Sequence, residues 1–317
     1  MKRIAVSVGD LNGIGIELAL RNHHTISREV DPLYCIDREM LEQASRLLSL
    51  PIPESFKIIE EIADPFTIQP GKIDAESGRY SYASFLKAVD LTKEGSTDAI
   101  VTLPIHKQAW ELAGIDYKGH TDALRDFFDA EAIMMLGSPK MYVALFTEHL
   151  PLREVADKIN EKDLTRFLID FYDSIEHRAS SIEQKIAVLG LNPHAGDGGV
   201  LGEEERIIEK AIDKAHSSIG KELFCGPLVP DIAFIPRNRA RYRYYVAMYH
   251  DQGLAPLKAL YFDEGINISL KLPILRTSVD HGTAFDIAYR GALLNNLSYL
   301  NAVRYLAEIY ESGSPLM

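Results

Sequence analysis

The chain has 317 residues, of which 46% are hydrophobic and 25% charged, and its net charge is −12. This length allows two domains of ordinary size, and the composition is that of a folded globular protein. The acidic balance excludes a broad nucleic-acid surface, which needs clustered Lys and Arg. Apolar runs stay shorter than the roughly 20 residues of a membrane helix, and the start MKRIAVSVGD predicts a strand rather than a secretion signal, so we expect a cytoplasmic protein without a membrane partner.

Short β-rich runs alternate with amphipathic helical stretches in the first third of the chain. The sequence predicts a strand at RIAVSV, a helix over 15–22, a strand at PLYCID, helices over 38–50 and 76–94, and a strand at TDAIVTLP. This alternation predicts an α/β protein with a largely parallel sheet.

The remaining two thirds continue the pattern without a linker or a repeat. EAIMML and KMYVALFT, joined by a turn-rich GSPK, predict neighbouring strands. Further on, the sequence predicts a helix from Asn160 through about 177, a strand at KIAVLGL, a helix from Gly202 toward Ser218, strands at YYVAMYH and GINISLKLP, and a last helix from Leu297 to Tyr310. Any domain boundary is therefore a crossover of strands.

Three histidines follow strand-like runs directly, in polar or glycine-rich turns. They are His149 in FTEHLPL, His194 in GLNPHAGDGG and His250 in MYHDQGL. The carboxyl ends of strands are where α/β sheets bind ligands, and neutral imidazoles are good ligands for Zn²⁺, Co²⁺ or Mn²⁺. A single such histidine is more often structural, but three in the same setting favour a metal site.

Basic and polar residues accumulate in the same part of the chain: His120, Thr121, Lys258, Asn267 and Arg276. Thr121 could instead be a helix N-cap, and Lys258 and Arg276 could be solvated surface charges. Both cations lie in apolar sequence, however, where an anionic ligand would satisfy them.

Glycines 9, 13 and 15 in SVGDLNGIG do not match a dinucleotide fingerprint, so we interpret this turn as structural. Cys35 and Cys225 fit no metal or redox spacing, which favours buried small hydrophobic side chains.

Eight stretches carry a resemblance that spans residues 4 to 291: SVGDLNGIGIEL, DAIVTLPIHKQAW, GHTDAL, FTEHLPLREV, GLNPHAGDGGVLGEEE, GPLVPD, MYHDQGLAPLK and INISLKLPILRTSVDHGTAFDIAYRG. Together they resemble the 4-hydroxythreonine-4-phosphate dehydrogenase family of pyridoxal phosphate biosynthesis. The resemblance implies the two-domain α/β fold of isocitrate and isopropylmalate dehydrogenases, with the active site in the interdomain cleft and at a homodimer interface. The implied domains are 1–127 with 270–317, and 128–269, the second carrying the metal ligands and dimer contacts.

The resemblance also assigns roles to individual residues. It makes His149, His194 and His250 ligands of one divalent ion, Zn²⁺, Mg²⁺, Co²⁺ or Mn²⁺, in a site shared by two subunits. It makes His120, Thr121, Lys258, Asn267 and Arg276 substrate contacts. The stretch DHGTAFDIAYRG looks like the superfamily's nucleotide loop, which implicates His281, Gly282, Thr283, Ala284 and Asp286 in binding NAD, with NADP as the alternative.

The implied reaction is oxidation of 4-phosphooxy-L-threonine followed by decarboxylation, with Asp251, His120 and Lys258 left open as the general base. Alternatives are a dehydrogenase of a related four-carbon sugar-acid phosphate, a metal-dependent hydrolase or acyltransferase, and a non-catalytic sensor of a phosphorylated metabolite. The nucleotide loop argues against the last two, which need no adenosine site.

Four features depart from the family pattern as we expect it. His106 stands where Asn is expected, Lys271 where Gly is usual, and Leu11 and Ile16 where prolines are common. PRNRARYRYY also lacks an acidic residue expected before MYHDQG. Of these, Lys271 could alter which hydroxy acid fits.

Overall fold

A computed structural model describes residues 1–176 and 185–311. The chain divides into two compact units, unit 1 with Met1–Ala132 and Ile266–Tyr310, and unit 2 with Ile133–Gly265. The predicted domains, 1–127 with 270–317 and 128–269, stay a prediction, because compactness of the backbone does not show that a part of the chain folds on its own.

The sheet of unit 1 is parallel except at one edge. Its strands lie in the order β3-β2-β1-β4-β11-β10, and only β10 and β11 pair antiparallel. The bounds are β1 Arg3–Ser7, β2 Asp31–Cys35, β3 Lys57–Ile59, β4 Ala99–Thr102, β10 Ile266–Leu270 and β11 Leu275–Val279.

Helices pack around this sheet, and one of them begins at a clear local sequence signal. The helix from Ala75 begins where the Asp74 carboxylate accepts a hydrogen bond from the Ser77 amide at 2.9 Å, which satisfies one free N–H of the first turn. Phe85 and Trp110 lie at the centre of an apolar cluster. The helices are α1 Gly15–Ile26, α2 Arg38–Leu48, α3 Ala75–Lys93, α4 Lys107–Leu112, α5 His120–Phe128 and α12 Leu297–Glu311.

Unit 2 has its own strand order, β5-β6-β9-β7-β8, in which β6, β9, β7 and β8 run parallel. Strands β6, β7 and β9 are buried along their whole length, as expected for parallel strands covered on both faces. The bounds are β5 Ile133–Ser138, β6 Met141–Leu145, β7 Ile186–Leu189, β8 Phe224–Leu228 and β9 Tyr244–Ala247.

The helices of unit 2 cover an apolar core that includes Val143, Tyr245 and Leu254. They are α6 Leu152–Lys158, α7 Glu161–Glu176, α8 Glu204–Ile219, α9 Pro230–Ala233, α10 Pro236–Arg239 and α11 His250–Tyr261. Within the ranges that the structure describes, none of the helices has the length and apolarity to cross a membrane.

The predicted α/β architecture is confirmed, with differences at the ends of elements. The strand predicted at YYVAMYH ends at Ala247, and His250 already begins α11. The helix predicted from Gly202 begins at Glu204. The end of the helix predicted through about 177 lies outside the described residues. The sequence interpretation missed three strands: β3 has only three residues, β8 contains glycine and proline, and β11 has polar residues at its three central positions.

Candidate functional site: strand-end histidines and a buried arginine

The three histidines predicted as metal ligands follow three neighbouring parallel strands. His149 comes after β6, His250 after β9 and His194 after β7, and β9 lies between the other two strands. Since the carboxyl ends of adjacent parallel strands lie at one edge of a sheet, the fold brings the three loops to the same edge of unit 2.

Two of these imidazoles face each other. The ring centroids of His149 and His250 are 5.7 Å apart. Nδ1 of His250 lies 2.7 Å from Oδ1 of Asp251, so Nδ1 donates to this carboxylate and Nε2 keeps its lone pair for a ligand. A carboxylate that orients a histidine in this way is typical of metal sites.

His194 lies in a segment of unusual backbone conformation, Pro193–Gly199, with φ values of 53, 51, 76, 45 and 66° from His194 to Gly198. Among the residues that the structure describes, no group of three His, Cys, Asp or Glu side chains is arranged to hold a metal ion. The donor chemistry fits a divalent cation, because imidazoles follow three adjacent strands and one has its carboxylate partner. One chain alone, however, brings only two of them into ring contact.

A second set of predicted residues surrounds a buried guanidinium in unit 1. Arg276, on β11, is 3% exposed. Its nitrogens donate to Oγ1 of Thr102 at 2.7 and 3.0 Å, to Oγ of Ser269 at 3.2 Å and to Oγ1 of Thr121 at 3.4 Å. Burial lowers the pKa of Arg276 to about 9, and within the described ranges no carboxylate compensates its charge. The alternative of a solvated surface cation is therefore wrong for Arg276.

His120 adjoins the same guanidinium. Nη2 of Arg276 lies 3.2 Å from Nδ1 of His120, and burial together with this cation holds the pKa of His120 well below its usual range. The ring is therefore neutral, with Nδ1 accepting from Arg276 and the proton on Nε2. Nε2 is buried without a hydrogen-bond partner among the described residues, as is Oδ1 of Asn267. The unused Nε2–H of His120 beside an uncompensated cation fits an anionic ligand, whereas Oδ1 of Asn267 is an acceptor that needs a donor group.

The remaining residues predicted to contact substrate differ in their settings. Helix α5 begins at His120 with Gly119 as its N-cap, so Thr121 is not the cap and its hydroxyl is turned to Arg276. Lys258 belongs to unit 2, on α11, where its Nζ lies 6.0 Å from the ring centroid of Phe262.

The loop that resembles the superfamily's nucleotide loop follows β11 and is irregular. Nδ1 of His281 donates to the carbonyl of Gly282 at 3.1 Å, and Nε2 is buried without a partner among the described residues. Thr283 is buried, Ala284 has a φ of 46°, and Asp286 is exposed. The side chain of Asp286 is thus accessible to a ligand.

The turn after β1 packs directly on this loop. The amide of Ile14 donates to the carbonyl of Thr283 at 3.1 Å, and a Cβ at Gly13 would lie 2.8 Å from that carbonyl oxygen. Glycine at this position allows the close approach. The interpretation of the turn as structural is consistent with these contacts, although the turn lies against a predicted cofactor loop.

Asp10 in this turn is fully buried, and the sequence interpretation missed it. Its carboxyl accepts hydrogen bonds from the Asn12 amide at 2.9 Å and from Oγ of Ser77 at 3.2 Å. Burial raises the pKa of Asp10 to about 7 against these hydrogen bonds, with a smaller contribution from Asp74. The sequence did contain a signal for this residue, an Asp within a glycine-rich turn.

Four residues that depart from the family pattern have defined positions in the structure. Lys271 has a φ of 58°, a conformation that favours glycine, and its ammonium lies 3.5 Å from Oε2 of Glu131. His106 stacks on Phe285, with ring centroids 4.9 Å apart and planes at 14°. Leu11 and Ile16 are fully buried in the core.

Both cysteines are free thiols. Cys35 is buried, which raises the pKa of its thiol to about 12, and Cys225 accepts a hydrogen bond from the Tyr242 hydroxyl at 3.1 Å. The expectation of a buried hydrophobic side chain is confirmed for Cys35, whereas Cys225 is only half-buried.

Fold and site together define a two-unit α/β protein with imidazoles at three adjacent strand ends and a buried arginine whose charge no carboxylate in the described ranges compensates. The profile of the family described as pyridoxal phosphate biosynthetic protein PdxA matches residues 28–306. The chain belongs to this family, so the resemblance found in the sequence is confirmed.

Relatives of known name agree with this assignment along nearly the whole chain. The chain is 58% identical to a 4-hydroxythreonine-4-phosphate dehydrogenase of Sulfurimonas denitrificans, covering 95% of this chain and 96% of the relative. A protein of the same name from Campylobacter fetus is 48% identical, covering 98% of each. The crystal structure of 4-hydroxythreonine-4-phosphate dehydrogenase from Klebsiella pneumoniae matches with a TM-score of 0.82 at 32% identity, covering 97% of this chain and 98% of that one.

The predicted wider fold is also confirmed. A β-decarboxylating dehydrogenase from Thermococcus kodakarensis matches with a TM-score of 0.50 at 14% identity, covering 100% of this chain and 90% of that one. At this identity the likeness concerns the fold alone.

Proposed function

We propose that this chain is a metal-dependent, NAD-linked dehydrogenase that oxidises 4-phosphooxy-L-threonine to 2-amino-3-oxo-4-phosphooxybutanoate, which loses CO₂ to give 3-amino-2-oxopropyl phosphate. The observation that carries the proposal is the buried Arg276, whose hydrogen bonds go to hydroxyls and an imidazole and whose charge meets no carboxylate in the described ranges. The name shared by its relatives supplies the substrate.

Arg276 and His120 form the proposed anchor for an anionic end of the substrate, and Oδ1 of Asn267 is proposed to accept from a donor group of the substrate. The guanidinium neutralises the charge, and the neutral His120 offers its Nε2–H as a hydrogen-bond donor. Thr121 helps to hold the guanidinium in place, since its hydroxyl lies 3.4 Å from Nη1.

His149, His194 and His250 are the proposed ligands of one divalent metal ion. When bound, the ion would lower the pKa of the substrate hydroxyl and neutralise charge during oxidation and decarboxylation. Asp251 fixes the ring of His250 through Nδ1, which is a positioning role and not a proton transfer.

Among the three candidates for the general base, His120 and Asp251 thus already have other roles. The Nδ1 lone pair of His120 accepts from Arg276, and Asp251 accepts from His250. We therefore assign to Lys258, in its neutral amine form, the acceptance of the hydroxyl proton, which makes it an ammonium, while the hydride on the same carbon passes to NAD⁺. The loop with His281, Gly282, Thr283, Ala284 and Asp286 is the proposed adenosine site, in which Asp286 can accept a hydrogen bond from the ribose 2′-hydroxyl.

The proposed active form is a homodimer that completes the metal site. Support comes from the single chain, in which only two of the three imidazoles make ring contact. The segment with His194 also packs on α9, and Val200 and Ile232 beside it are 79% and 49% exposed, as expected for an apolar surface that another subunit covers. The cytoplasmic location stays a prediction.

The test is NADH formation with purified enzyme and a panel of substrates: 4-phosphooxy-L-threonine, the phosphates of four-carbon sugar acids, and unphosphorylated hydroxy acids. We expect turnover of 4-phosphooxy-L-threonine that a chelator abolishes and a divalent ion restores. Preference for a sugar-acid phosphate would change the substrate but not the chemistry. Failure to reduce NAD⁺ or NADP⁺ with every substrate would contradict the dehydrogenase assignment.

Subunit sharing has a separate test, complementation between two inactive variants. Because the rings of His149 and His250 are in contact within one chain, a shared site would take His194 from the other subunit. A mixed dimer of His194→Ala and His250→Ala subunits then contains one intact site, and part of the activity returns. No recovery after verified subunit exchange would assign both ligands to one chain.

A further inference from the structure

The segment that carries His194 has a backbone conformation that L-residues rarely adopt. Positive φ values run without interruption from His194 to Gly198, and three of these residues, His194, Ala195 and Asp197, are not glycine. Left-handed backbone costs about 1 to 2 kcal/mol for each non-glycine residue. Other parts of the chain must hold this turn, because its own residues favour a different conformation.

The carboxylate of Glu205 holds this turn through hydrogen bonds. Its Oε1 accepts hydrogen bonds from the backbone amides of Leu191 at 2.9 Å and Asn192 at 2.7 Å. Its Oε2 accepts from Nδ2 of Asn192 at 2.9 Å. The side chain is 5% exposed, so these bonds form away from water, where a missing partner is costly.

The same carboxylate lies directly against the left-handed turn. A Cβ at Gly196 would come within 2.6 Å of Oε2 of Glu205 and within 2.8 Å of the carbonyl oxygen of Gly202. Only glycine allows the turn to pack this closely. Glu205 thus contacts the segment both before and after His194.

Within the part of the chain that the structure describes, the hydrogen bonds of the Glu205 carboxylate go to this segment. The residue lies in the first turn of α8, where the helix dipole favours a negative charge, yet its acceptors are used by Leu191 and Asn192 rather than by the amides of the helix. Glu209, one turn further along the same helix, differs in that it is exposed.

We propose that Glu205 is a positioning residue for His194: its buried carboxylate fixes the turn that sets the direction of the His194 imidazole toward the metal ion. This inference rests on the proposed function, because it takes His194 as a metal ligand. A residue that orients a ligand without touching the ion changes metal affinity by about 10- to 100-fold when it is removed.

The experiment measures Co²⁺ affinity of the full-length protein against a chromophoric competitor chelator, together with the visible absorption of the bound Co²⁺. The variants are Glu205→Ala, Glu205→Gln, the matched control Glu209→Gln, and His194→Ala. Because a glutamine oxygen can still accept from the amides of Leu191 and Asn192, we expect a smaller loss for Glu205→Gln than the about 10- to 100-fold loss for Glu205→Ala. We expect Glu209→Gln to bind like the unaltered protein.

The outcomes separate this inference from the proposed function. Unaltered affinity and an unaltered Co²⁺ spectrum in both Glu205 variants, with a clear loss in His194→Ala, would overturn the role of Glu205 alone. If His194→Ala itself binds Co²⁺ like the unaltered protein, the metal assignment fails first. Should Glu205→Ala not fold, the isosteric Glu205→Gln decides: a weakened affinity and a changed spectrum support the proposal, and their absence overturns it.

Discussion

Replacement of Asp10 by asparagine should make the protein more stable at neutral pH. The Asp10 carboxyl is fully buried in the turn after β1, where it accepts from the Asn12 amide and the Ser77 hydroxyl. An asparagine keeps the shape and can still accept from Asn12, while its amide donates to the oxygen of Ser77. The substitution thus removes the titration of Asp10 and retains its two contacts.

The magnitude follows from the difference between the pKa of Asp10 in the folded and unfolded chain. Burial raises this pKa from 3.8 to about 7, so the folded protein holds the proton more tightly than the unfolded chain does. The stabilisation is complete below pH 3.8 and is lost as the pH rises to about 7. At about 1.4 kcal/mol for each pH unit, the loss is about 4 kcal/mol. Asp10→Asn does not lose this free energy of unfolding, because asparagine does not titrate.

Urea unfolding of both proteins between pH 4 and 8 provides the assay. The free energy of unfolding of Asp10→Asn minus that of the unaltered protein should rise with pH by about 4 kcal/mol and level off above pH 7. Asp31→Asn is the control, because hydrogen bonds from Lys57 and Arg3 lower the pKa of Asp31 whereas burial raises that of Asp10. The difference in the free energy of unfolding between Asp31→Asn and the unaltered protein should therefore stay constant over this pH range. Parallel curves for Asp10→Asn and the unaltered protein would refute the reasoning.

Two further predictions concern ligands. Arg276→Lys should raise KM for the phosphorylated substrate by about 10- to 100-fold, because the loss of one charged hydrogen bond costs about 1.5 to 3 kcal/mol. Steady-state kinetics provide the measurement, and an unchanged KM would show that Arg276 does not bind the anionic group. The unaltered enzyme should prefer NAD⁺ over NADP⁺, because the Asp286 carboxylate would repel a 2′-phosphate. Asp286→Ser should bring the kcat/KM values for the two cofactors closer together. The same ratio of kcat/KM values before and after the change would show that Asp286 does not contact the ribose.

Much of the fold was predictable because its signals are local. Alternating apolar runs and amphipathic stretches predict β1, α2, α3, β4, β5 and β6 close to their observed bounds. Strand β8 was missed because FCGPL contains glycine and proline and gives no strand pattern. Which strands are neighbours was also beyond the sequence pattern, since β9 lies between β6 and β7 although it follows both in the chain.

For the candidate site too, local features could be predicted from the sequence and long-range contacts could not. The position of His149, His194 and His250 after strands was readable from each motif by itself. The contact between Arg276 and His120 joins residues that are far apart in sequence, and only the fold reveals it. The role of Glu205 was equally hidden, because an acidic residue in the first turn of a helix is common and gives no sign that its bonds go to another segment.

The most direct test of a histidine metal site in a dehydrogenase is a titration of metal-stripped enzyme. Zn²⁺ or Co²⁺ is added in steps, and the rate of NADH formation from 4-phosphooxy-L-threonine is measured alongside bound metal, for the unaltered protein and for His194→Ala. We predict that activity in the unaltered protein rises in proportion to bound metal until the sites are filled, and that His194→Ala gains neither metal nor activity. Full activity of the stripped enzyme in excess chelator, or a His194→Ala variant that follows the unaltered curve, would contradict the account.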